Sequence, residues 1–181
     1  GLQSGSMIPA RPESGLLENV KHLPFHILIG ENDNLPMRLP DSKLLAELLT
    51  KMGTPNKLNI MKGIGHYPLS DEGYADQDEW MHRFVRKRPD AFSFVADDPR
   101  HPGIWGIRFS FGRWADKVAP PYPKFEVVIK GSSVSITSDP KRDLTVDLGP
   151  KGLKMTGAVK LMVNGKAVHD GPLPSSPIQI K

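Results

Sequence analysis

The feature that most constrains this chain is a change of apolar period near Pro89. Before it, short apolar runs alternate with segments whose apolar residues recur every three or four positions. After it, only short runs alternating at period two remain, separated by turn residues. A helix presents one face at a period near 3.6 and a strand at a period of 2, so two architectures have to share 181 residues. The reading is an α/β portion over residues 1–89 followed by an all-β portion over residues 90–181.

In the first portion Phe25–Gly30 is an apolar run closed by glycine and reads as a buried strand. From Pro40-Asp41-Ser42 onward, Leu44, Leu45, Leu48, Leu49 and Met52 fall on one helical face. Asp41 or Ser42 is expected to cap that helix and Gly53 to end it in the left-handed conformation. Lys57–Met61 reads as a second strand, and Tyr74, Trp80, Met81, Phe84 and Val85 mark the inner face of a second helix. In the second portion seven strands are predicted: 92–95, 104–111, 125–129, 134–137, 144–148, 159–163 and 178–180. They suggest a small β-sandwich-like domain. Asn164-Gly165 predicts a hairpin whose two turn residues take positive φ.

Composition narrows the function classes. Cysteine is absent, which excludes disulfides, thiolate metal sites and a cysteine nucleophile. The net charge is only +4, and Arg86-Lys87-Arg88 is the one dense basic cluster, so no nucleic-acid partner is expected. No run approaches the roughly 18 apolar residues of a membrane span, so no membrane partner is expected either. The 17 glycines and 18 prolines imply many turns.

Two loops hold polar residues that the alternation does not require. Asp33 follows the first strand in Gly30-Glu31-Asn32-Asp33, and His66 follows the second in Gly63-Ile64-Gly65-His66. Ligands and catalytic groups in open parallel sheets gather at the carboxyl ends of strands. An imidazole serves as a general base when a carboxylate fixes its tautomer and stabilises the imidazolium. Asp33 and His66 are therefore the candidate catalytic pair, an acid and a base. His22, His26, His82, His101 and His169 read as surface or locally satisfied side chains, and neither a metal nor another cofactor is expected. Asp97 and Asp98 read as an acidic turn, and Trp105 as a strand residue packed in a core.

On Asn19-Val20-Lys21, Leu23-Pro24-Phe25, Gly30-Glu31-Asn32-Asp33, Leu45–Leu49 and Gly63-Ile64-Gly65-His66, residues 19–88 resemble the C-terminal half of an α/β-hydrolase. The likeness is to the serine esterases of the polyhydroxybutyrate depolymerase, feruloyl esterase and prolyl-oligopeptidase-like branch. It implies a partial α/β-hydrolase sheet with flanking helices, with Asp33 and His66 as acid and base of a Ser-His-Asp triad. The β-rich tail is similar to an accessory C-terminal domain of some bacterial members. An ester substrate and a secreted or periplasmic setting are further implications, with a peptide substrate of the prolyl-oligopeptidase type as the variant.

The family's nucleophile motif, Gly-x-Ser-x-Gly, occurs nowhere in the chain, and Ser4 and Ser6 lack glycines two positions away on both sides. With Gly1 in the first position, this leads to the expectation of a C-terminal piece that pairs with a missing N-terminal half and is inactive alone. The rival expectation is a non-catalytic protein that binds a polymer or partner through exposed aromatics such as Trp105 and Trp114.

Overall fold

The computed structural model describes residues 2–3, 15–35, 38–66, 70–85, 87–111, 118 and 120–181. Ser4, Ser6, Arg86 and Trp114 lie outside the described residues. The chain divides into two compact units, one formed by Gly1–Glu13 and Val20–Lys87, the other by Ser14–Asn19 and Arg88–Lys181.

The first unit holds a three-stranded sheet in the order β1 (Leu2–Gln3), β2 (Phe25–Gly30), β3 (Asn56–Met61). All its pairings are parallel. β2 and β3 run in register over six pairs, from Phe25 opposite Asn56 to Gly30 opposite Met61. The connection between them is α1 (Arg38–Lys51), which buries Leu45 and Leu49. Its expected caps are only half right. The helix starts at Arg38, so Asp41 lies in its first turn and Ser42 is buried within it. Its end is as expected: Gly53 has φ of 71°, with Gly53 N–H donating to Thr50 O and Thr54 N–H to Leu49 O.

After β3 comes α2 (Asp71–Met81), capped by Ser70, whose hydroxyl accepts from Gly73 N–H at 3.2 Å. Gly73 lets α2 lie close to the sheet, because a Cβ there would stand 2.8 Å from Met61 Sδ and 3.2 Å from Leu28 Cδ1. Leu28, Met61, Ile64 and Tyr74 pack there. Ile27 and Ile29, fully buried, project from the other face of β2.

The second unit has two sheets. Five strands run in the order β11 (Lys166–Pro172), β10 (Ala158–Val163), β8 (Ser133–Ser138), β7 (Lys124–Lys130), β4 (Ala91–Val95). Four run in the order β12 (Ile178–Ile180), β9 (Leu144–Val146), β6 (Ile107–Phe109), β5 (Gly103–Ile104). One apolar core draws on both, with Phe125, Val127, Ile136 and Leu161 from the first sheet and Ile107, Leu144 and Val146 from the second. The Phe125 ring lies 5.5 Å from Phe94 beside it and 5.5 Å from Phe109 of the other sheet, joining the two.

The edge strand β4 is covered by a short 3-10 turn, Leu16–Val20. There the Asn19 amide imitates a neighbouring strand, donating to Val95 O at 2.8 Å and accepting from Val95 N–H at 2.7 Å. Asn164 and Gly165 have φ of 49° and 78° and join β10 to β11 as a two-residue hairpin.

The expected fold class is corrected in two respects. The described chain is mostly β, 35% strand against 19% helix, and a partial α/β-hydrolase sheet is not formed. The physical reason is that, among the described residues, helix-period sequence is confined to α1 and α2, while β2 gains only the two-residue β1 on its other side. Layered helix and sheet therefore make up a small parallel unit, and the all-β portion dominates. Second, residues 104–111 do not form one strand: Trp105 and Gly106, with φ of 53° and 83°, turn the chain between β5 and β6. Alternation alone does not reveal a hairpin whose turn is occupied by a bulky residue.

Phe125 carries the junction of the two sheets, so Phe125→Ala is expected to lower the unfolding free energy by about 3–5 kcal/mol, read from urea denaturation.

Candidate functional site

Because β2 and β3 are parallel and in register, they end together, and the chain leaves both ends at the same level. The loops that follow are bound to each other through the backbone. Glu31 N–H donates to Met61 O at 2.9 Å and Asn32 N–H to Ile64 O at 2.8 Å, while the Glu31 carboxylate accepts from Gly63 N–H at 3.0 Å. Gly30 makes this approach possible. A Cβ at that position would fall 2.2 Å from Gly65 O and 2.5 Å from Ile64 O, distances no side chain tolerates.

The two polar residues singled out in the sequence meet at this point. His66 Nδ1 lies 3.0 Å from Asp33 Oδ2. The Asp33 side chain is fully buried and the His66 side chain is 28% exposed, so the carboxylate lies on the protein side and the imidazole on the solvent side. Asp33 is itself held: its Oδ1 accepts from Leu35 N–H at 3.2 Å, and its own N–H donates to Gly30 O at 3.2 Å. With Nδ1–H donating to a fixed carboxylate, Nε2 is the ring nitrogen whose lone pair can take a proton.

A third side chain joins them that the sequence reading did not anticipate. Arg38 Nη1 is 3.4 Å from both Nδ1 and Nε2 of His66. Equal contact with both ring nitrogens places the guanidinium nitrogen against the face of the ring, since in the ring plane it would collide with the carbon between them. No motif marks Arg38 in the sequence, because it precedes the stretch in which helical periodicity becomes visible.

A second histidine–carboxylate pair lies elsewhere in the same unit. His26 is completely buried at an inward position of β2, so of the two expected settings, surface or locally satisfied, the first is excluded. Its Nε2 donates to Asp76 Oδ2 of α2 at 3.0 Å, and its Nδ1 is buried with no hydrogen-bond partner. Asp76 also accepts from Lys57 Nζ and from Asn59 Nδ2, the latter at 3.1 Å. Those hydrogen bonds, chiefly Lys57 and then His26, hold the Asp76 carboxyl below its ordinary range. One carboxylate thus ties α2 to β2 and β3, and the imidazole it holds is sealed from solvent.

The remaining candidates are local. His22, His82 and His101 are exposed, and His169 Nε2 donates to Pro172 O at 2.9 Å. Asp98 is paired with Arg100, whose side-chain and backbone hydrogen bonds push its carboxyl down to about 2. Trp105 is half-buried against the core of the second unit. Among the described residues, no group of three or more His, Asp or Glu side chains is placed to hold a metal ion. Among them, too, no helix is long and apolar enough to cross a membrane. Comparison with family models, curated proteins and solved structures returned no match.

Gly30→Ala is expected to destabilise the first unit by about 2–4 kcal/mol and to abolish the downfield Nδ1 proton resonance of His66. Gly63→Ala, where a Cβ meets open space and only the positive φ is strained, is expected to cost about 1 kcal/mol and keep that resonance. For Asp76 the sign follows from its depressed pKa: its stabilisation is present above the unfolded carboxyl value of about 4 and is lost as pH falls through the lower folded value. Asp76→Asn is therefore expected to lower the melting temperature at pH 7, with the difference from wild type shrinking on acidification below about pH 4.

Proposed function

We propose that Asp33 and His66 are the acid and base of a Ser-His-Asp device that hydrolyses carboxylic esters. The observation that carries the reading is the 3.0 Å contact between His66 Nδ1 and a completely buried Asp33 carboxylate, with the imidazole partly open to solvent. Its chemistry is that of an oriented general base.

In the proposed cycle a serine Oγ attacks the acyl carbon while its proton passes to His66 Nε2. Asp33 holds Nδ1–H and offsets the positive charge that forms on the ring. The same proton then goes to the alcohol oxygen as the ester C–O bond breaks. Water repeats the sequence, releasing the acid and restoring the serine. No Gly-x-Ser-x-Gly occurs in the 181 residues, so the proposal assigns the nucleophile to a serine outside them.

Hydrolysis of p-nitrophenyl butyrate by the protein expressed from its intact gene tests this. His66→Ala is expected to lower kcat/KM by at least about 10³-fold and Asp33→Asn by about 10²–10⁴-fold. The 181 residues by themselves are expected to give no turnover. Turnover that survives His66→Ala overturns the reading.

A further inference from the structure

A cleft of about 510 Å³ lies wholly within the second unit. Three segments far apart in sequence wall it: Arg88 and Asp90 just before β4, the turn at Ser132 between β7 and β8, and Lys154–Thr156 ahead of β10. Ile129 and Met155, both buried, give it an apolar floor, and Ser132 and Thr156 stand exposed at its rim. Two cations line it against one carboxylate, that of Asp90. Arg88, the last residue of the basic cluster, is half-buried and donates to Pro89 O at 3.4 Å. Among the described residues, neither Arg88 nor Lys154 enters an ion pair.

Lys154 is held in a costly conformation. Of the described residues with positive φ, all but Trp105, Lys154 and Asn164 are glycine. Trp105 packs against the apolar core, and Asn164 uses its side chain to accept from Ser138 N–H at 2.9 Å. Lys154, with φ of 54°, is exposed, and its backbone N–H donates to Gly149 O at 2.9 Å. A glycine there would make the same backbone hydrogen bond without strain. The lysine side chain therefore serves neither the turn nor the core, and strain of this kind gathers where a side chain has a task.

We infer that this cleft is a binding site for an organic phosphate or sulfate monoester, with Arg88 and Lys154 holding the anion. A half-buried cation without a counter-ion regains its lost solvation when an anion enters. A planar carboxylate is satisfied by one guanidinium fork, whereas a tetrahedral oxyanion presents three oxygens to donors converging from separate segments, here a guanidinium, an ammonium and two hydroxyls. The volume exceeds that of a bare ion, and the floor of Ile129 and Met155 offers contact to carbon, so the ligand carries an organic group. The site is independent of the ester-hydrolysis reading, whose residues lie in the other unit.

The 181-residue chain is titrated with phenyl phosphate, phenyl sulfate, phenylacetate and inorganic phosphate while backbone amide shifts are followed by NMR. Phenyl phosphate, phenyl sulfate or both are expected to shift Ser132, Lys154 and Thr156 saturably, with Kd below about 1 mM. The tighter of the two names the oxyanion. Phenylacetate and inorganic phosphate are expected to bind at least about tenfold more weakly. Arg88→Gln and Lys154→Gly each weaken binding about tenfold or more. Lys154→Gly does so without lowering the melting temperature, since it also relieves the left-handed backbone, which separates a ligand-holding role from a structural one. Asp90→Asn tightens binding by removing the one like charge, and His66→Ala leaves it unchanged. Undiminished binding in Lys154→Gly or Arg88→Gln overturns the inference, as do shifts spread equally over exposed lysines such as Lys141 and Lys166. Equal affinity for phenylacetate overturns the tetrahedral assignment, and equal affinity for inorganic phosphate overturns the organic group.

Discussion

The first unit depends on one close approach of backbone to backbone. β2 and β3 pair in register up to Gly30 and Met61, and just beyond them the Gly30 Cα faces the carbonyls of Ile64 and Gly65 with no room for a methyl group. Parallel pairing sets the level at which the two loops begin, and the missing side chain sets how closely they meet. Everything at the candidate site is downstream of that contact. Asn32 N–H can reach Ile64 O and the Asp33 carboxylate can reach His66 because the two chains are already tied. A looser loop would have to order both side chains at the moment of use, at an entropic cost of roughly 1–2 kcal/mol per residue fixed.

The same unit uses the histidine–carboxylate contact twice, to different ends. His26 and Asp76 are joined at 3.0 Å, as are His66 and Asp33. In the first pair the imidazole is sealed and the carboxylate is shared with Lys57 and Asn59, so the contact holds α2 on the sheet. In the second the carboxylate is sealed and the imidazole is partly open. A base must meet its substrate while its orienting acid need not, so burial of this second kind is what the proposed role of His66 requires. Pair geometry alone does not distinguish them.

How much of this the sequence reveals follows from the range of the signals. Leu45 and Leu49 announce α1, Gly53 announces its end, and Asn164-Gly165 announces the last hairpin, because each is a local pattern that backbone chemistry reads directly. The meeting of Asp33 and His66 is legible because each lies in the loop that follows a recognisable strand. The proportion of helix to strand is not legible from a resemblance, and the expectation of a partial hydrolase sheet fails on it. The Trp105 turn is hidden because aromatic residues favour strands and rarely take positive φ. His26 and Asp76, fifty residues apart, become partners only once α2 lies on β2.

Arg38 belongs to the same long-range category. It reaches His66, 28 residues further along the chain, only once the paired β2 and β3 have brought the two loops level, so no local pattern could mark it in the sequence.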